Sequence, residues 1–447
     1  MIPHAQPVTG ARRVTRARRG AQQVTQLQVV LEGRPVGQLA KTSREEIWFE
    51  YDPAWVSSGF ALSPFPLFSL RPGAFKPSNL VFDGLHGVFN DALPDGWGLL
   101  LMDRALRQAL GWERRQITPL DRLAYIGSRA MGALEFRPAM GNPTGAPLIS
   151  LEQLAEEARL VQDGTAGNVL GALYLHGGSP GGARPKVTLA IEAGGDHCVS
   201  GFGAIPGNYE HWIVKFRARQ GDPPCMARIE MAYARMAAAA GVPMPAARLI
   251  SAKVAGQRED FFAARRFDRV GNTKRHVISL GGMLEVSHRE PCLDYAELLK
   301  AVHLATRDVR EVQKAFRLML FNVLAHNKDD HVKNFSFLFD GNGWATTPAY
   351  DLTFSSGIGN QHTTSIAGSG NPSLQEIRTI AGQLQIDDWE QTVAQVFEAV
   401  AQWDRFATEQ EVPKGIMVEY GKAMRSAPGY TDLAKRPTRT RTTRKPD

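Results

Sequence analysis

Apolar and polar positions alternate along Gln26–Leu39, where QLQVVLEG meets VGQLA across a turn at Gly33-Arg34-Pro35. That period of two predicts a hairpin with one buried face. Glu45–Tyr51 (EEIWFEY) predicts a further strand, and residues 60–94, rich in Pro and Gly, predict irregular chain. Along Gly96–Leu110 the apolar positions fall three and four apart, the spacing of a helix. Gly141-Asn142-Pro143-Thr144-Gly145 interrupts the pattern and marks a boundary. An amphipathic helix follows at Ser150–Val161, with Ser150 as N-cap and Glu152 in the first turn. Beyond a glycine-rich stretch at Gly177–Ala183 come two apolar runs, Lys186–Ile191 and His211–Phe216. An alanine-rich helix, Arg228–Ala240, is ended by Gly241 and Pro243, and Phe261–Phe267 is a strand candidate. Val309–Leu324 carries one apolar stripe of Val309, Val312, Phe316, Met319, Leu320 and Val323. Phe335–Phe339, a turn at Asp340-Gly341-Asn342-Gly343 and Trp344–Ala349 predict a second hairpin, and Trp389–Trp403 another amphipathic helix. No internal repeat is present.

Composition narrows the class. At roughly 100–200 residues per domain, the 447 residues suggest two to four domains, and 43% apolar with 22% charged residues is ordinary for a soluble globular protein. Disorder, collagen and a disulfide-stapled miniprotein are excluded. Cys198, Cys225 and Cys292 are too few and too scattered for a disulfide framework or a structural zinc site, which predicts a reducing compartment. No run approaches the roughly 20 apolar residues of a membrane helix, and no apolar segment follows the basic N-terminus, so the expectation is a cytoplasmic protein. The net charge of +7 is unevenly placed. Residues 1–20 carry five arginines and no acid, and 435–447 carry six cations against Asp447, which leaves the body between them negative by three. Such tails suit either weak, non-specific contact with phosphate backbones or solubilisation. The expected organisation is a disordered basic tail over 1–25, a β-rich N-terminal unit over 26–145, a middle unit over 146–305, a mostly helical unit over 306–430, and a disordered basic tail over 431–447.

Chemistry concentrates in Ala325–Asn334 (AHNKDDHVKN), a polar loop between a buried helix and a strand. Asp351 lies just past the hairpin, which can return it to Asp329 and Asn334. Two carboxylates and an amide oxygen are hard donors suited to magnesium, which binds few protein ligands alongside substrate phosphates. Protein kinases place a metal-binding Asn five residues after the catalytic Asp and a metal-binding Asp after a hairpin; Asp329 and Asn334 have that separation. His326 and His331 are five apart, which is not the spacing of a helical zinc pair. In the middle unit, Gly177-Gly178-Ser179-Pro180-Gly181-Gly182-Ala183 can bring backbone N–H groups close to phosphate, or form a flexible hairpin tip. Lys215, on the face opposite Trp212, Val214 and Phe216, is either a snorkelling edge residue or a phosphate clamp. Glu230 on the next helix is its candidate partner, and Phe261–Phe267 could offer backbone groups to an adenine. The order of these features is that of a kinase.

With those residues in view, the sequence resembles the HipA family of toxin serine/threonine kinases. The resemblance is carried by Gly178–Lys186 (GSPGGARPK), Trp212–Phe216 (WIVKF), Arg266–Arg269 (RFDR), His326–Asn334 (HNKDDHVKN), Tyr350–Leu352 (YDL) and the LPDGWG region within Gly84–Asp103. It implies an α+β, two-lobed protein-kinase-like fold with an extra N-terminal β-rich subdomain and a mostly helical C-terminal lobe. It implies ATP and Mg2+, with Asp329 as catalytic base, Asn334 and Asp351 holding the metal, and Lys215 on the phosphates. ATP contacts would also come from Gly178, Ser179, Gly181, Gly182, Lys186, His331 and the Arg265-Arg266-Phe267 backbone. Ser179 would be the autophosphorylated serine, whose phosphate expels the loop and switches the enzyme off. The implied partners are a protein substrate in translation, such as an aminoacyl-tRNA synthetase, and a small helix-turn-helix antitoxin like HipB. Operator DNA would be reached through that antitoxin. His331 stands where ordinary kinases carry a lysine, Lys333 lies four after Asp329, and Asp351-Leu352-Thr353 replaces D-F-G; these departures argue against a eukaryotic-type kinase. Three rivals remain: a catalytically silent antitoxin-binding co-repressor, a metal-dependent phosphohydrolase using His326, Asp329, Asp330 and His331, and a kinase acting on a small molecule.

Overall fold

The computed structural model describes residues 22–140, 148–164, 173, 176 and 181–435. The break at 141–145, Gly178, Ser179 and most of the two basic tails lie outside the described residues. The first hairpin forms as β1 (Gln26–Leu31) and β2 (Arg34–Lys41), joined by β3 (Ile47–Tyr51) and β4 (Leu134–Arg137) in an antiparallel sheet ordered β3-β2-β1-β4. Its alternation is used as the sequence reads: Leu27, Val29, Leu39, Phe49 and Tyr51 are buried. The stretch 60–94 is less irregular than its Pro and Gly content suggests. It holds a 3-10 turn at Pro66–Phe68 and a short helix at Gly87–Asn90. Phe68, Phe75 and Phe89 pack around Phe49 with ring centroids 4.9–5.7 Å away, so apolar burial orders a segment that propensity alone does not.

The second sheet is antiparallel with order β5-β7-β6-β8-β10-β9. Its strands are β5 (Leu148–Ile149), β6 (Lys186–Glu192), β7 (Cys198–Ser200), β8 (Tyr209–Lys215), β9 (Ala247–Val254) and β10 (Gln257–Arg265). The helix Leu151–Gln162, capped by the Ser150 hydroxyl, packs on β9. Helix Met226–Ala239 packs on β9 and β10 through a buried face that includes Ile229, Met236 and Ala237. A two-stranded ribbon, β11 (Arg269–Val270) with β12 (Thr273–Lys274), leads out of this lobe.

The helical lobe begins ahead of residue 306. Strand β13 (His276–Ser279) pairs with β14 (Ser336–Phe339) of the second hairpin, whose return strand is β15 (Trp344–Thr346). Helix Tyr295–Thr306 packs on helix Val309–Leu324. In that second helix Val312, Phe316, Met319, Leu320 and Val323 are buried as the stripe requires. Val309, the first residue of the helix, is 61% exposed and does not join the buried stripe. The helix read over Trp389–Trp403 is two, Trp389–Val400 and Trp403–Glu409, with Trp403 buried at the start of the second. The C-terminal tail starts later than 431: Tyr430 and Leu433 are buried on helix Pro428–Ala434, and the Asp432 carboxylate accepts the Leu374 N–H at 3.1 Å. No helix among the described residues is long and apolar enough to cross a membrane.

Candidate active site

The chain folds so that β8 delivers Lys215 into the space between the lobes. Trp212, Val214 and Phe216 are buried, and Lys215 points the other way with its side chain 12% exposed. Its Nζ lies 3.3 Å from Glu230 Oε1 and 2.5 Å from Asp351 Oδ1. Glu230, buried on helix Met226–Ala239, also takes Arg184 Nη1 at 3.1 Å, and Arg184 reaches Asp222 at 3.1 Å. One buried carboxylate therefore anchors two cations from the sheet side. Asp351 comes from the helical lobe. It sits in the left-handed region at φ 53°, and its neighbour Tyr350 is pinned by its hydroxyl to Ser336 Oγ and the Lys333 carbonyl, both at 2.6 Å. Burial acts to raise the Asp351 carboxyl, but the Lys215 ammonium, with Lys186 and Arg184 behind it, outweighs that and holds it far below the usual carboxylate range. Burial likewise works against the Lys215 charge, and Asp351 and Glu230 more than restore it, so its pKa is raised.

Lys186 faces Lys215 across the β6–β8 ladder, and Phe262 of β10 faces it from the other side. Lys186 is buried, which lowers its pKa, and its Nζ donates to the Gly181 carbonyl at 2.6 Å. The Gly182 N–H donates to the carboxylate of Asp95, in the N-terminal unit, and the other oxygen of Asp95 accepts Lys333 Nζ at 3.0 Å.

The loop after helix Val309–Leu324 is held by its own buried polar groups. Asp330, 1% exposed, accepts from Tyr295 Oη at 3.0 Å and the Thr363 N–H at 2.9 Å, and pairs with His362 Nδ1 at 2.8 Å. Asn322 donates to Tyr295 Oη at 3.0 Å and accepts from Asn327 at 2.9 Å. Lys328, also buried, donates to Asn360 and Asn371 at 2.6–3.0 Å. Asp329, between them, is exposed, and its carboxylate has no hydrogen-bond partner among the described residues. Its carbonyl accepts Asn334 Nδ2 at 2.7 Å, which fixes the spacing of the two residues and leaves the amide oxygen of Asn334 outside that bond. His331 lies beside His288, ring centroids 5.2 Å apart.

The segment read as lining an adenine is more committed than the sequence suggests. The Arg265 side chain reaches Glu210 at 2.8 Å, and Arg266 is buried in a two-pronged pair with Asp268 at 2.7 and 2.9 Å. The backbone N–H of Arg265 donates to Ala246 and that of Arg266 to His211, both at 2.8 Å. Phe267, whose ring lies 5.9 Å from that of Tyr350, keeps a backbone N–H that bonds nothing among the described residues.

Lys215, Glu230, Asp351 and Lys186 thus come together, with Gly181 and Gly182 over Lys186. Asp329 and Asn334 form a second group, joined to the first through Lys333 and Tyr350. The phosphohydrolase set does not converge. Asp330 is consumed by His362 and Tyr295, His326 stacks on Phe354 at 4.9 Å, and no three His, Cys, Asp or Glu side chains among the described residues are placed to hold a metal ion together. Asp351 offers a carboxylate and Asn334 an amide oxygen, donor types that suit magnesium. Motif and spacing alone assign no role to Asp95 or Lys333. The available signal was an Asp-Gly pair directly before a helix whose cap it should be.

Together these features define an α+β, two-lobed, kinase-like protein with a β-rich N-terminal addition. Residues 27–137 match the HipA N-terminal domain and residues 178–404 the HipA-like C-terminal domain. The chain belongs to the HipA family. It is similar to the kinase-named protein Y4mE of Sinorhizobium fredii, 27% identical over 350 residues that cover 73% of this chain and 76% of that protein. The kinase-named Y4dM of the same organism is 26% identical over 351 residues, covering 74% and 77%. Among solved structures, HipA from the Shewanella oneidensis MR-1 complex of HipA, HipB and operator DNA has the same fold. It matches with a TM-score of 0.64 at 19% identity, over 89% of this chain and 95% of that one.

Proposed function

We propose that this protein is an ATP-dependent serine/threonine protein kinase, the toxin of a HipA/HipB-like module, acting on a protein of translation and on its own Ser179. The observation that carries the reading is Lys215, whose ammonium is held between Glu230 of one lobe and Asp351 of the other at 3.3 and 2.5 Å. A strand lysine anchored by a helix glutamate and facing a metal-binding aspartate is the working arrangement of phosphoryl transfer. Lys215 and Lys186 bind the ATP phosphates, and the Phe267 N–H meets the adenine. Asn334 and Asp351 would hold magnesium, which when bound neutralises charge on the phosphate oxygens. Asp329, exposed and with its carboxylate unpartnered among the described residues, orients the substrate hydroxyl and takes its proton as that oxygen bonds to the γ-phosphorus. The bond from the γ-phosphorus to the bridging oxygen breaks, and ADP leaves.

A small helix-turn-helix antitoxin is the partner this reading implies, and the composition of the Shewanella complex supports it. Operator DNA is then reached through the antitoxin, and the basic tails add only contact with phosphate.

The test is incubation with γ-labelled ATP and cell lysate. Labelled protein is expected, with Lys215→Met lowering the yield on the order of 100-fold. Ser179→Ala should remove the chain's own label and keep transfer to the target. Free phosphate without labelled protein would mean a phosphohydrolase. ATP left intact by a chain that binds antitoxin would mean a silent co-repressor.

A further inference from the structure

Asp95 is the residue before helix Gly96–Leu110, where an aspartate ordinarily turns its carboxylate onto the helix's own first N–H groups. It makes no such bond. One oxygen takes the Gly182 N–H of the glycine-rich stretch, and the other takes Lys333 Nζ, one residue before Asn334, at 3.0 Å. The neighbouring backbone completes the contact, since Trp97 N–H donates to the Gly182 carbonyl at 3.1 Å. Gly96 has φ +46°, and a Cβ there would lie 2.6 Å from the Gly182 oxygen and 2.9 Å from Ala183 Cα, so no side chain fits between the two segments. His288 Nε2 stands 3.9 Å from the same carboxylate.

We propose that Asp95 is a positioning residue, a latch by which the N-terminal unit holds Gly182 against the catalytic loop. The latch rests on the kinase reading only for its consequence, not for its existence. Asp95 acts through Gly182 and Lys333. The adjacent Gly181 carbonyl anchors Lys186, so freeing Gly182 also frees a phosphate-binding lysine. Loss of the latch therefore weakens ATP binding more than turnover.

The experiment uses the full chain and three variants, Asp95→Asn, Asp95→Glu and Lys333→Met, with two readouts. Hydrogen exchange at residues 181–186 needs no nucleotide. It is expected to rise at least tenfold in Asp95→Asn and to return towards the parent rate in Asp95→Glu. The KM for ATP is expected to rise about tenfold in Asp95→Asn with kcat within threefold, and adding Lys333→Met should cost little more. Unchanged exchange in both Asp95→Asn and Lys333→Met overturns the latch whatever the activity. A fall in kcat with KM unchanged, or equal loss in Asp95→Glu and Asp95→Asn, overturns it too. Should Asp95→Asn not fold, Lys333→Met decides: faster exchange at Gly182 supports the latch, and parental exchange refutes it. Should the parent bind no ATP, the kinase reading falls, and the exchange result still judges the latch.

Discussion

Asp329 and Asp330 are neighbours of one residue type with opposite fates. Asp330 is buried and engaged by Tyr295, His362 and Thr363, with Asn322 and Asn327 extending the network behind it. Asp329 is exposed and its carboxylate touches no donor among the described residues. Under the proposed function, the carboxylate that takes the proton sits beside a residue whose own carboxylate is fully engaged by Tyr295, His362 and Thr363. A satisfied buried network fixes geometry, and an unsatisfied exposed group is left to react.

Separating the two aspartates by mutation is the first way to sharpen this contrast. Asp330→Ala leaves Tyr295 Oη, His362 Nδ1 and the Thr363 N–H without their acceptor, and should cost about 3–5 kcal/mol of stability. Its urea midpoint should fall sharply; a midpoint within error of the parent would remove the structural role assigned to Asp330. Next in size is acid sensitivity of the frame. Burial pushes the imidazoles of His211, His276 and His326 down to about 4, below the usual value near 6.5. The unfolded chain binds their protons first, so stability present above about pH 6.5 is lost as pH falls towards 4. Each histidine contributes on the order of 1–3 kcal/mol, and flat stability over that range would contradict their burial as neutral groups. The third effect is smaller. Glu230→Gln weakens the anchor shared by Lys215 and Arg184 and should slow transfer about tenfold, near 1.4 kcal/mol. An unchanged rate would mean that Asp351 alone places Lys215.

Much of the fold was legible because its signals are local. Gly96–Leu110 and Val309–Leu324 begin and end where periodicity puts them, and both predicted hairpins form. The loop His326–Asn334 was legible from spacing, as was the placement of Lys215 opposite a buried strand face. What escaped depends on contacts distant in sequence. Asp330 is a structural residue only because His362 and Tyr295 come to it from 32 and 35 residues away. The tie from Asp95 to Lys333 spans 238 residues. Strand β13 joins the second hairpin's sheet across three intervening helices, a pairing no local pattern encodes. Arg266 was read for its backbone, and its value lies in the buried pair with Asp268.

The most direct test of the account is Asp329→Asn, measured as label transferred from γ-labelled ATP to protein, with nucleotide affinity and urea midpoint taken on the same preparation. The contrast between the two aspartates predicts transfer reduced by about 10²–10⁴-fold, with affinity and midpoint unchanged. Transfer within threefold of the parent, or its loss together with a collapse of the midpoint, would contradict it.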